Sequence, residues 1–513
     1  MKADAASEEY LLPLGCNVID RVIRAVCLRL TVTSPAAFEA AHAYRVFSVK
    51  TLHENGSNSK IAMYRDQVDA VVHLVYTMQI KGAVLMKRLR LLLVLIVILL
   101  MTTVGFMQSS AQEEVTLVVW DNFTREAEQA MIEELNARFE EAHPGVTIQR
   151  EIYETSDLTQ LAPRALSEAN GPDVIMVNQG YTGMGALVEA GLLLPLNAYA
   201  DQYGWWDRYA EGLHARNSFS EDGQEFGTGN LYGVSNTAEV VGVYYHKDIF
   251  EEVGLSVPAT WEEFEAALQT LADAGYTPIV FGSLDGWPAI HTWGAIEHAY
   301  SSLNEIDDFI YRREGGTFVT EANITAAEKM REWIEAGYFT PGFEGMDYDN
   351  ATYGDFINKA GAMWITGSWM TGSIIADLGE DADNVGFFLL PSATGEEVPL
   401  TIGGVGLPYA IRATSEHPDL AAEYIDLVTS PDAAALLFEQ GYLPAVAPES
   451  VEENTLAGDV VAAWNLISSN NKVGHYLDWT APDIAADIQE MMAGQVSPEE
   501  FVNNVEEDYK SSE

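Results

Sequence analysis

The chain has 513 residues, 48% of them apolar, with 27 Lys/Arg against 77 Asp/Glu, for a formal charge of −50. That length and apolar content suffice for two ordinary domains, and the charge opposes binding to nucleic acid and to anionic membrane surfaces, so no nucleic-acid partner is expected. Both cysteines, Cys16 and Cys27, lie early, so the remainder can form no disulfide, thiolate nucleophile or Cys-ligated zinc site.

Residues 1–85 hold nine Lys/Arg, eight Asp/Glu and no Trp. Met86-Lys87-Arg88-Leu89-Arg90 then opens a basic start. Leu91 to Met107 follows without a charged residue, and Gln108-Ser109-Ser110-Ala111 offers small residues at a cleavage site. The pattern over 86–111 reads as a secretory signal peptide. The alternative is a permanent membrane helix at 91–107, which Thr102, Thr103 and Gly105 weaken. A signal peptide belongs at an N-terminus, so 1–85 reads as a misassigned, disordered upstream extension, with translation starting at Met86. The competing reading is a cytoplasmic segment ahead of a membrane helix. The mature protein is expected to begin near Gln112, periplasmic or at the cell surface, or tethered by an uncleaved 91–107 helix. No Cys follows the apolar run, so a lipid anchor there is excluded.

After Ala111 there are 15 Lys/Arg and 69 Asp/Glu. Val115 to Trp120 is apolar and β-branched, a buried strand. Ala127, Met131, Leu135 and Phe139 mark one face of a helix that Pro144-Gly145 ends. Val146, Ile148 and Ile152 give a second strand. A helical stretch up to Asn170-Gly171-Pro172 and the strand Asp173 to Val177 follow. Strand alternating with helix indicates a parallel sheet, whose ligands sit at the strands' carboxyl ends. Those ends are Trp120-Asp121-Asn122 and Asn178-Gln179. A second α/β series starts near Val240. It contains the strand Val240 to Tyr245, a capping box at Thr260 to Glu263 with a helix to Gly275, and strands at Thr277 to Phe281, Ala362 to Ile365 and Val385 to Leu390. The glycine-rich Thr401 to Ile411 suggests a chain crossing between domains, or a tight sheet turn. Helices are expected from Ser415, from Ser430-Pro431 and after Ser497.

All 11 tryptophans follow Ala111. Trp261 and Trp333 sit in amphipathic helices and read as packing residues. Trp287, Trp369 and Trp479 stand beside glycine or proline or at expected strand ends, where an indole offers a flat face to a pyranose while Asp, Glu, Asn or Gln bind its hydroxyls. The bland alternative is packing between lobes. The scattered histidines, without an HExxH motif, argue against zinc, and the seven-residue spacing of His291 and His298 reads as structural. There is no G-x-S-x-G elbow and no P-loop. A carboxylate pair for glycosidic cleavage stays open among so many acids.

Several stretches in order resemble the extracellular solute-binding proteins of carbohydrate ABC importers, in the maltose- and oligosaccharide-binding branch. These are Leu117 to Trp120; Gly171 to Ile175; Ala190-Gly191-Leu192-Leu193 before Pro195-Leu196; Tyr244 to Phe250; Pro258 to Phe264; Gly286-Trp287-Pro288; Lys359 to Met363 through Gly367-Ser368-Trp369; and Thr401 to Ala410. The resemblance implies a two-lobed type II α/β fold that closes on its ligand. Lobe one is expected at 112–238 plus 404–445, and lobe two at 239–403 plus 446–513. It implies a site of Asp121, Asn122, Asn178, Gln179 and Glu239, faced by Trp287, Trp369, Asp478 and Trp479. Glu239 matches an acidic ligand residue of the family through its spacing to Tyr245, Lys247 and Asp248. Gly180 departs from the family, which has an acidic sugar-binding residue there, so maltose-like specificity is not implied. The expected protein is a monomer without catalysis, cofactor or metal, binding an oligosaccharide or other sugar and serving the permease subunits of an ABC importer. The rival readings are a binding protein for a polyol or glycerol phosphodiester, and an exported glycoside hydrolase or lyase.

Overall fold

β1 (Val115–Asp121) buries Leu117 and Val119 completely and pairs in parallel with β2 (Val146–Ile152), Val115 opposite Val146. The computed structural model describes residues 114–208, 211–446, 455–481 and 483–511. The expected signal segment and upstream extension lie outside the described residues. Between the two strands runs the helix Glu126–Ala142, whose Met131, Ile132, Leu135 and Phe139 face the core. Gly145 beyond it takes φ +92°, a left-handed turn that glycine makes at little cost. The helix Thr155–Ser167 leads to β3 (Val174–Met176), which pairs in parallel with β1 and is wholly buried. Short β4 (Ser218–Phe219) and β5 (Asn230–Leu231) form a hairpin.

β6 (Ala238–His246) is the spine of the second sheet, buried along its length except for Glu239, which keeps a small exposed fraction. β7 (Thr277–Val280) and β8 (Gly361–Gly367) pair in parallel, and β8 runs antiparallel to β6. The other edge of β6 is shared. Its carboxyl half takes β9 (Val385–Phe388) and its amino half takes β10 (Thr401–Val405). The chain then switches sheets within three residues: β11 (Tyr409–Ile411) lies antiparallel to β3. β12 (Val473–Gly474) adds to the edge of β10. The sheet orders are therefore β11-β3-β1-β2 and β12-β10-β6-β8-β7.

Thr401 to Ile411 is thus the crossing rather than a turn within one sheet. Two other segments pass beside it. Gly406 N donates to Thr237 O at 2.9 Å, Ala238 N to Leu443 O at 2.9 Å, and Ala445 N to Asn236 O at 2.9 Å. Helices cover the sheets. Trp261–Asp273 starts on its Thr260 cap, whose side chain accepts from Glu263 N at 3.2 Å. Trp287–Tyr300 packs against Glu321–Glu335 and Ile484–Met492. The helix expected from Ser415 begins at Pro418, because Ser415 instead hydrogen-bonds Asp173 through its hydroxyl at 2.6 Å.

Candidate functional site

The carboxyl ends of β1 and β3 meet the second sheet's loops. After β3, Gly180 adopts φ +75°. A Cβ there would lie 2.4 Å from the Trp479 Cα, so the two backbones touch. Thr182 donates its hydroxyl to the Asp478 carbonyl at 3.1 Å. Further out, Arg125 at the start of the Glu126–Ala142 helix pairs with Asp349 at 2.8 Å, a second bridge between the two halves.

Around this junction five rings gather. Gly286, at φ +78°, turns the chain so that Trp287 opens its helix, and His291 follows one turn later. The two rings stand 5.0 Å apart. Gly367 ends β8, and the 3-10 turn Ser368–Met370 folds Trp369 back over it, so closely that a Cβ on Gly367 would meet the indole at 1.9 Å. One indole face is thereby covered by backbone. Its Nε1 donates to the Tyr348 hydroxyl at 2.8 Å, and Tyr348 in turn is paired with Thr366 at 2.7 Å. Trp287 lies 6.1 Å from Trp369 at 65°, and Tyr348 4.3 Å from Trp287. His291 links Trp369, at 5.3 Å, to Tyr476, at 5.1 Å. Tyr476 donates to Glu239 Oε2 at 2.8 Å.

The acids of this cleft are short of compensation. Desolvation raises Glu239 to about 7, against the opposing hydrogen bond from Tyr476. Desolvation likewise raises Asp478 to about 6, although Asn178 hydrogen-bonds it, and its Oδ1 has no partner. Burial holds His291 down to about 3, so its imidazole is neutral at physiological pH. Such groups offer hydrogen bonds to hydroxyls from a site shielded from water. Among the described residues no cluster of three or more His, Cys, Asp or Glu could hold a metal ion.

Of the nine residues expected at the site, Trp287, Trp369 and Glu239 join through His291 and Tyr476. Asn178 and Asp478 meet each other beside them. Trp479 touches Tyr476 at 5.5 Å but is 1% exposed, so it packs the floor rather than presenting a free face. Asp121 is fully buried in a bidentate pair with Arg150, at 2.5 and 2.7 Å, and holds the end of β1. Gln179 donates to the Val405 and Gly406 carbonyls at 3.1 and 3.0 Å and so fastens the crossing segment. Asn122 donates to the Thr155 hydroxyl at 3.1 Å, away from the rings. Sequence reasoning missed Arg125 and the buried support that Tyr348 gives Trp369, and read His291 as structural. His298, its expected partner, is internal, its Nδ1 donating to Gly294 O at 2.7 Å. A concavity of about 680 Å³ lies apart from the five rings, with Arg216 and His475, both close to Trp479, in its wall, and its lining includes none of the nine.

A family profile described as bacterial extracellular solute-binding protein matches residues 122–435. A multiple sugar-binding protein of Streptococcus mutans is 27% identical over 229 residues, 44% of this chain and 53% of its own. The chain thus spans about half the length of that relative. A diacetylchitobiose binding protein of Streptomyces coelicolor is 25% identical over 62% of this chain and 70% of its own. Among solved structures, a chitin oligosaccharide binding protein superposes with a TM-score of 0.67 at 21% identity, covering 78% of this chain and 99% of that one. A raffinose complex of a solute-binding protein gives 0.62 at 20%, with 78% and 99% covered. These superpositions identify the fold as the two-lobed α/β type II architecture.

Proposed function

Because the chain belongs to the bacterial extracellular solute-binding protein family, we propose that it captures a sugar, an oligosaccharide, in the cleft between its lobes and delivers it to the permease of an ABC importer. The observation that carries this reading is the pair Trp287 and Trp369, set at 65° and 6.1 Å beside the Glu239–Tyr476 hydrogen bond. Two indoles at an angle offer a corner to a pyranose, and the carboxyl and phenol beside them bind its hydroxyls. Arg125, Asn178, His291 and Asp478 complete the lining in this reading, and buried Tyr348 supports Trp369 from behind. Lobe one is assigned to 112–238 plus 404–445 and lobe two to 239–403 plus 446–513. The placement of β11 in the first sheet and β10 in the second supports this division. The mature protein acts as an exported monomer.

Catalysis is a second reading with one observation in its favour: two carboxyls, Glu239 and Asp478, stand near the rings, and a glycosidase uses a carboxyl pair, although it needs one of the two ionised whereas desolvation raises both here. Relatives in the family are binding proteins, and binding without turnover is the function proposed. The test is calorimetric titration with a panel of neutral oligosaccharides, each mixture assayed in parallel for reducing ends. Saturable heat without product supports capture. Product release establishes an enzyme, and absence of heat with every sugar overturns the sugar reading.

A further inference from the structure

The concavity beside Arg216 is an island of positive charge on a strongly acidic molecule. Of the 15 Lys/Arg after Ala111, Arg216, Arg312 and Arg313 line this one space of about 680 Å³, with His475 beside them. The acids in its wall are Glu225 and Asp307. Asp307 is already engaged, to His475 Nε2 at 2.8 Å and to Arg313 at 3.5 Å. A chain carrying 69 Asp/Glu would place carboxylates here if the position merely tolerated them.

Arg216 is the informative residue. It is 3% exposed and has no ion-paired carboxylate among the described residues. Its terminal nitrogens donate to the Gly403, Gly474 and Val473 carbonyls, the last two at 3.0 Å, while its Nε has no partner. His475, also 3% exposed, has an unpartnered Nδ1. The carbonyls satisfy most of the Arg216 donors but carry no full charge, so burying the cation remains costly, and an anion in the adjoining space would offset that cost. Tyr311 and Phe226, 5.0 Å apart, add apolar faces. The volume is that of a small-molecule site rather than of a single ion.

We propose that this concavity is a second binding site, for a small molecule bearing an oxyanion (a carboxylate, sulfate or phosphate group), held by Arg216 and Arg313. The guanidinium fork matches such groups in two parallel hydrogen bonds. The inference does not depend on what the aromatic cleft binds. Two sources supply the chemistry, a free inorganic ion and a sugar acid, and the test separates them.

The full exported chain is titrated by calorimetry with inorganic phosphate, with sodium sulfate and with glucuronate, all at one ionic strength set by sodium chloride. A saturable isotherm is expected with at least one probe. Tightest binding by glucuronate identifies a sugar acid, and equal binding by all three identifies the free ion. Arg313 is 50% exposed, so Arg313→Gln should fold, as a melt will verify, and it should weaken binding at least tenfold. Arg313→Lys, which keeps the charge, should stay within tenfold of the original affinity. Trp369→Ala should leave anion binding within threefold. No saturable heat with any probe, binding within threefold in Arg313→Gln, or its loss in Trp369→Ala overturns the proposal.

Discussion

Trp369 has one indole face against Gly367 and its nitrogen tied to Tyr348, which leaves the other face for a ligand. Trp369→Ala should therefore lower sugar affinity by about 30- to 1000-fold, the equivalent of roughly 2–4 kcal/mol for lost area and stacking. The melting temperature of the unliganded protein should move far less. Titration beside a thermal melt checks this, and a collapsed melt with normal binding by the folded fraction would make it a packing residue. Glu239 carries a pH signature. Its carboxyl is raised from 4.5 to about 7 by desolvation, so between those values the folded state binds more protons than the unfolded state. Stability from this group is therefore lost as pH rises through that window. Glu239→Gln removes the effect, so its stability advantage over the parent should grow from near zero at pH 4 to roughly 3 kcal/mol at pH 8. Urea melts of both proteins across that range are the measurement, and a difference independent of pH would refute it. Residue type and neighbouring glycine or proline singled out Trp287 and Trp369 in the sequence, and Glu239 entered through the family spacing; the structure brings the three together around His291 and Tyr476. Asp121 and Trp479 show where legibility ends. A strand-end acid looks the same in sequence whether it faces a ligand or, as here, a buried Arg150, because the partner comes from a different strand.

At the level of elements, caps and apolar periodicity located most helices and strands. Thr260 holds its helix start as its spacing predicts. The helix opening at Trp287 was not evident, because Gly286 and Pro288 read as a loop, whereas proline in the first turn is compatible with a helix. Strand order was illegible for β6, whose two halves take different neighbours on one edge. The loop after β3 yields a sharper prediction. Gly180 combines a positive φ with backbone contact to Trp479, so Gly180→Ala strains the loop and obstructs the approach of the two halves. The strain alone is on the order of 1–3 kcal/mol. Sugar affinity should fall by about 5- to 150-fold if that cost is expressed on closing. Small-angle scattering of the liganded variant should show a larger radius of gyration than the liganded parent, and equal radii with equal affinities would dismiss the idea.

For the molecule as a whole, 69 Asp/Glu against 15 Lys/Arg after Ala111 make self-repulsion a standing load on the folded state. Screening shortens from about 30 Å at 0.01 M salt to about 8 Å at 0.15 M. Raising sodium chloride over that range should add about 1–2 kcal/mol, or roughly 2–8 °C in melting temperature at this domain size. An equal osmolarity of glycerol should add almost nothing, and a melting temperature insensitive to salt would contradict the prediction. The crossing at Thr401 to Ile411 has a different consequence, in time rather than in space. The first sheet stays incomplete until β11, more than two hundred residues downstream of β3, has been made. Pairings so distant in sequence close slowly. A ribosome building this chain therefore emits most of it before the first sheet can be completed, so the interleaved topology acts as a clock that ties the closing of that sheet to the last fifth of synthesis.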